Sequence, residues 1–121
     1  MKKNIWILDD DESINEVIKI ILEDAGFNAK IFSDATSLKK QLKKKSPDLI
    51  LLDIILSGQS GVAVANELKS SEQTKNIPII LMSANPDLKA VSKQAKVESY
   101  ISKPFDINYL VKQINKVLTT H

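Results

Sequence analysis

Apolar residues follow two rhythms along this chain. In short runs nearly every position is apolar: Asn4 to Asp9 (NIWILD), Leu49 to Leu52 and Ile77 to Met82. Such runs predict strands buried on both faces. Between them lie longer stretches in which apolar residues recur every three or four positions, the mark of amphipathic helices. From Ser13 onward Ile14, Val17, Ile18, Ile21 and Leu22 form one stripe, which Gly26 stops. Asn28 to Phe32 reads as a weaker edge strand. Asp34 then caps a lysine-rich helix with a stripe of Ala35, Leu38 and Leu42, ended by Ser46-Pro47.

The second half repeats the alternation. A polar loop, Ser57-Gly58-Gln59-Ser60-Gly61, leads into a helix to about Ser71. Asn85-Pro86-Asp87 opens a fourth helix with a cap, a proline at the first position and an acid in the first turn. Val97 to Ser102 reads as a fifth strand. Asp106 caps a last helix whose stripe is Ile107, Leu110, Val111, Ile114, Val117 and Leu118. Strand and helix repeated five times predict an α/β fold, a five-stranded parallel sheet covered on both faces in three layers. Right-handed crossovers and a length of 121 residues favour an open, doubly wound sheet over a closed barrel, which needs about twice the residues. No linker or second domain interrupts residues 1–121, and no output module is apparent.

Composition narrows the chemistry. There is no cysteine and the only histidine is His121, so thiolate sites, histidine metal sites and histidine triads are excluded. No apolar run approaches a membrane span and none resembles a signal peptide, so a cytoplasmic, non-membrane protein is expected. The net charge is +2, and all 17 basic residues are lysines. Without the bidentate guanidinium fork, direct nucleic-acid readout is not expected. The lysines from Lys39 to Lys45 surround an apolar stripe and read as a solvated helix face.

In sheets of this kind ligands bind beyond the carboxyl ends of the strands. There the first strand ends in Asp9-Asp10-Asp11, the third in Asp53, the fourth in Ser83-Ala84 and the fifth in Lys103-Pro104. Two like charges 4 Å apart cost about 4 kcal/mol at an effective dielectric near 20. A domain stable by about 5–15 kcal/mol would not keep three such carboxylates without a cation. An oxygen-only donor set suits Mg²⁺ or Mn²⁺. Helix capping is the competing role for the acidic triplet, and Asp11 fits it best. Asp53 interrupts the most apolar stretch of the chain, LILLDIIL. It is either a polar strand end or a nucleophile forming an acyl phosphate. Such an attack needs charge neutralisation and in-line positioning, which a cation, the Lys103 ammonium, the Ser83 hydroxyl and a backbone N–H near Ala84 would supply.

The order LDD…LILLD…ILMSA…YISKPF resembles the receiver domain of bacterial two-component response regulators over essentially the whole chain. The resemblance implies a flavodoxin-like (βα)5 sandwich with strand order 2-1-3-4-5. It implies that Asp53 is the phosphoacceptor and that Asp9, Asp10, Asp53 and the Ile55 carbonyl hold Mg²⁺. Ser83, Ala84 and Lys103 would bind the phosphoryl group, Ser83 and Tyr100 would form the switch, and Lys103-Pro104 would be cis. The implied function is acceptance of a phosphoryl group from a sensor histidine kinase or histidine phosphotransfer protein in a phosphorelay, with an unidentified output partner. The chain would be no enzyme beyond catalysing its own phosphorylation and dephosphorylation, and would be a monomer or a phosphorylation-dependent dimer. A non-phosphorylated module on the same fold would lose the acceptor, an acidic-pair residue or the lysine, and all are present. A phosphohydrolase would want Asp-x-Asp, which Asp53-Ile54-Ile55 lacks. Two departures stand out: Ser57 where a proline is common, and Ala95-Lys96-Val97 where a Gly-Ala pair usually precedes the fifth strand.

Overall fold

A computed structural model describes residues 2–56, 59–84, 93 and 95–120. The elements are β1 (Asn4–Leu8), α1 (Glu12–Asp24), β2 (Asn28–Phe32), α2 (Ala35–Leu42), β3 (Leu49–Asp53), β4 (Ile55–Leu56), β5 (Gln59–Ser60), α3 (Gly61–Ser70), β6 (Ile79–Ser83), β7 (Ser99–Ser102) and α4 (Ile107–Thr120). Five strands form one parallel sheet in the order β2-β1-β3-β6-β7, which is 2-1-3-4-5 among the long strands. The helix opening at Asn85-Pro86-Asp87, and Ser57-Gly58 in the loop, lie outside the described residues.

Side-chain alternation sorts the sheet into two cores. Trp6, Leu8, Phe32, Ile50, Leu52, Ile79 and Leu81 meet α2 and α3 through Leu38, Val64, Ala65 and Leu68. Ile5, Ile7, Leu49, Leu51, Ile80, Met82 and Ile101 meet α1 and α4 through Ile18, Leu22, Leu110, Ile114 and Val117. All five residues of β3 are buried, as a central strand with helices on both sides requires.

Local chemistry sets the boundaries. Asp11 caps α1, its Oδ1 accepting from the N–H groups of Ser13 (2.9 Å) and Ile14 (3.3 Å). Gly26, at φ +96°, takes the left-handed turn that follows α1. Asp34 accepts from Ser37 N (2.7 Å) and Asp106 from Asn108 N (2.8 Å).

Three expectations change. The lysine-rich helix ends at Leu42, before Ser46-Pro47, where the N–H groups of Lys43 and Lys44 bond three residues back, to the Lys40 and Gln41 carbonyls (3.3 and 2.9 Å), in a tighter last turn. The loop after Asp53 contains a small antiparallel hairpin, with Ile55 opposite Ser60 and Leu56 opposite Gln59. Val17 and Ile107, placed in the apolar stripes, are each 55% exposed. The inward arcs of α1 and α4 are filled by Ile18, Leu22, Leu110, Ile114 and Val117, leaving those two on the flanks.

Lys69 and Glu98 brace the far rim. Lys69 Nζ lies 2.7 Å from Glu98 Oε2 and also donates to the Ile77 carbonyl (2.9 Å), while Glu98 Oε1 accepts from Ile79 N (2.8 Å). The end of α3 is thereby tied to the entry of β6 and β7.

Lys96 stands where the Gly-Ala pair would begin and has φ +54°. A left-handed backbone costs a residue with a Cβ about 1–2 kcal/mol. Lys96→Gly should therefore raise stability by about 1 kcal/mol, or several degrees in Tm for a chain of this size. Thermal unfolding of the two proteins checks this, and an unchanged or lower Tm would contradict it.

Candidate functional site

The parallel sheet delivers four of the sequence-selected residues to one rim. Asp9 follows β1, Asp53 and Ser83 end β3 and β6, and Lys103 follows β7. Asp9, Asp53 and Ser83 are buried, at 2%, 8% and 1% exposure. Lys103 Nζ donates to Asp9 Oδ2 at 2.6 Å and lies 3.4 Å from Asp53 Oδ2. The Lys103 N–H bonds the Ser83 carbonyl (2.9 Å), carrying the β6–β7 ladder one residue past the strand. The Lys103-Pro104 peptide is cis.

The remaining candidates are placed differently. Asp10 and Ala84 are exposed. Ile55 is 68% exposed in the hairpin, with its N–H 3.4 Å from Asp53 Oδ1. Tyr100 is half-buried against the α2–α3 core. It pairs with Leu81 in the β6–β7 register, two residues below the Ser83–Ser102 pair and so on the same face as Ser83. Among the described residues, no three acidic or imidazole groups form a metal-holding cluster.

Two residues that shape the site escaped sequence reading. Gly61 opens α3 with its N–H on the Ile54 carbonyl, and a Cβ there would fall 1.9 Å from the Asp53 carbonyl oxygen. Only glycine lets α3 start that close to the end of β3. Asn15 is buried in α1 and its Nδ2 donates to the Asp9 carbonyl (2.6 Å). Its signal was a polar residue in the helical phase of Ile18 and Leu22.

One ammonium faces two buried carboxylates. Burial, followed by the charge of Asp9, pushes the Asp53 carboxyl above its ordinary pKa, against the opposing pull of Lys103. Burial acts to lower the Lys103 pKa, but the hydrogen bond and charge of Asp9, then those of Asp53, raise it overall. Lys103 therefore stays charged at neutral pH.

Comparison with known proteins identifies the family. The response regulator receiver domain matches residues 5–115, and the chain belongs to that family. The chain is 37% identical over 118 residues to the phosphate regulon transcriptional regulatory protein PhoB of Pseudomonas aeruginosa, covering 96% of this chain and 52% of that protein. It is 32% identical over 117 residues to the DNA-binding transcriptional regulator NtrC of Escherichia coli, covering 95% and 24%. The chain thus spans about half or a quarter of the length of these curated relatives. The structure superposes on chemotaxis protein CheY4 of Vibrio cholerae with TM-score 0.88 at 23% identity, covering 97% of this chain and 99% of that one. NtrX of Brucella abortus gives 0.89 at 27% identity, over 99% and 28%. Among the described residues, no helix is long and apolar enough to cross a membrane.

The raised Asp53 pKa has a stability consequence with a fixed sign. A group whose folded pKa exceeds its unfolded value stabilises the fold below the unfolded pKa, about 3.9 for aspartate. That contribution is lost as pH climbs through the folded pKa. In EDTA, the Tm of wild type should fall behind that of Asp53→Asn as pH rises from about 3 to 7. Melting temperatures that run parallel across that range would show that Asp53 titrates normally.

Proposed function

We propose that the chain accepts a phosphoryl group on Asp53 from a phosphohistidine of a sensor histidine kinase or histidine phosphotransfer protein, and that this changes its binding to an output partner. The observation that carries the reading is the shared ammonium: Lys103 contacts both buried carboxylates, Asp9 and Asp53, at the rim where the strands end. An Asp53 carboxylate oxygen attacks phosphorus, the P–N bond breaks and the imidazole leaves. Lys103 then gains a phosphoryl oxygen as partner, and Ser83 and the Ala84 N–H lie at the end of the neighbouring strand to receive others. Later attack by water returns free phosphate and the Asp53 carboxylate. The chain catalyses only this turnover on itself.

Receiver domains generally bind Mg²⁺ for phosphorylation. The residues here fit a hard divalent ion: all donors are oxygens, and Asp9, Asp10 and Asp53 carry three negative charges against one ammonium. Asp9, Asp10, Asp53 and the Ile55 carbonyl are the proposed ligands, with Mg²⁺ preferred and Mn²⁺ accepted. When bound, the ion supplies charge neutralisation for the transferring oxygens. The absence of cysteine and of a spanning helix among the described residues supports a cytoplasmic setting.

Incubation with Mg²⁺ and a small acyl phosphate should add one phosphoryl group by intact mass, and Asp53→Asn should abolish the adduct. An equal yield on the variant would remove Asp53 from the role.

The second part of the reading is the switch. Phosphoryl on Asp53 draws the Ser83 hydroxyl inward, and the space released on that face lets Tyr100 move further into the α2–α3 core. Beryllofluoride with Mg²⁺ should therefore shift the NMR resonances of Tyr100 and Leu81 along with those around Asp53. Shifts confined to the Asp53 loop would show that Tyr100 is uncoupled.

A further inference from the structure

Asn15 carries the side-chain oxygen that, alone among the described residues, is buried without a hydrogen-bond partner. Buried polar groups are normally satisfied, so an orphan acceptor needs a reason. The amide orientation supplies it. Nδ2 donates to the Asp9 carbonyl at 2.6 Å, and the reverse orientation would set two acceptors against each other at that distance. The fold leaves Oδ1 unpaired to hold the Asp9 carbonyl.

That hold completes a set of restraints around the acidic loop. Asp9 Oδ1 accepts from Asp11 N (2.9 Å), Asp9 Oδ2 from Lys103 (2.6 Å), and the Asp9 carbonyl from Asn15. On the other side, Asn15 N donates to the Asp11 carbonyl (3.0 Å) and Asp11 caps α1. The Asn15 side chain therefore holds the backbone just before Asp10, whose own side chain is exposed, while the bond from Asn15 N to Asp11 is the ordinary helical one that any residue but proline would make there.

We propose that Asn15 is a positioning residue for the acidic loop, its amide fixing the backbone just before Asp10 so that the Asp10 carboxylate joins Asp9 and Asp53 at a divalent cation. This rests on the phosphoacceptor reading of the site. Residues that hold metal ligands in place, without touching the ion, commonly change its affinity by 10-fold or more when lost.

Asn15→Leu keeps the volume while removing both the donor and the orphan oxygen. In EDTA its Tm should stay close to that of wild type, since losing the unpaired oxygen offsets leaving the Asp9 carbonyl without its amide donor. The Asp10 and Asp11 amides should nevertheless exchange with solvent about tenfold faster in the metal-free protein. Calorimetric titration with Mg²⁺ should give a Kd about tenfold weaker than wild type. Asn15→Ser, too short to reach the Asp9 carbonyl, provides the same comparison if the leucine variant does not fold. A lower Tm with unchanged Mg²⁺ Kd and unchanged amide exchange would make Asn15 a packing residue only and overturn the proposal. Wild-type protein that takes up no Mg²⁺ would overturn the phosphoacceptor reading, and with it the assignment of a ligand for Asn15 to position. Wild-type binding with an equal Kd in the variants would overturn the role of Asn15 alone.

Discussion

Lys103 has to reach across the sheet, and much of the site follows from that reach. Its backbone continues the ladder beside β6 through the Ser83 carbonyl, yet its ammonium lies 2.6 Å from Asp9, beyond the end of β3. β6 and β3 lie between β7 and β1, and adjacent strands are about 4.8 Å apart, so a long side chain is needed for one ammonium to meet both carboxylates. On the way it lies 3.4 Å from the Asp53 carboxylate. Breaking a buried pair of this kind by removing one partner is typically costly, because it strands the other charge. The ends of β1, β3 and β7 are thus linked electrostatically at the rim, while the hydrogen-bonded ladder sets their register lower down.

The distribution of that single positive charge is uneven, and the unevenness gives the site its character. Asp9 has an oxygen on Lys103, an oxygen on the Asp11 N–H and its carbonyl on Asn15. Asp53 has a longer contact to Lys103 and a 3.4 Å contact from the Ile55 N–H. Asp53 is therefore the less satisfied carboxylate, and burial, followed by the charge of Asp9, raises its pKa. Asp10 is exposed and water screens it.

How far the chain announced this arrangement depends on the distance over which each feature is encoded. The long strands and the caps at Asp11, Asp34 and Asp106 are local, and the sequence pattern carries them directly. The convergence of Asp9, Asp53, Ser83 and Lys103 was legible because a parallel sheet sends every strand's carboxyl end to the same rim. What stayed hidden depends on approach between elements. Gly61 is an ordinary turn glycine by sequence, and the 1.9 Å separation of a hypothetical Cβ from the Asp53 carbonyl shows how closely the start of α3 approaches β3. Val17 and Ile107 satisfy a helical stripe, but α1 and α4 share one face of the sheet and neither flank residue finds cover there. The left-handed turn at Lys96 was invisible because a lysine gives no signal for positive φ.

The same alternation that builds the two cores puts Asp53 and Tyr100 on opposite faces of the sheet. Asp53 continues the parity of Leu49 and Leu51, which face α1 and α4. Ser83 continues the parity of Ile79 and Leu81, and Tyr100 packs with Leu81 against the α2–α3 core. An event at Asp53 therefore begins at one parity of the sheet, while Tyr100 belongs to the other. Ser83 sits at the rim where that division ends, next along β6 from Met82, the register partner of Asp53. A buried hydroxyl in a close-packed setting cannot shift toward Asp53 without the neighbours on its own face moving into the space it leaves. Tyr100 is half-buried, and its register partner Leu81 lies two residues before Ser83 on the same face. Under the switch proposed above, coupling would need no long path, because Ser83 follows the register partner of Asp53 along β6 and stands on the face that Tyr100 shares.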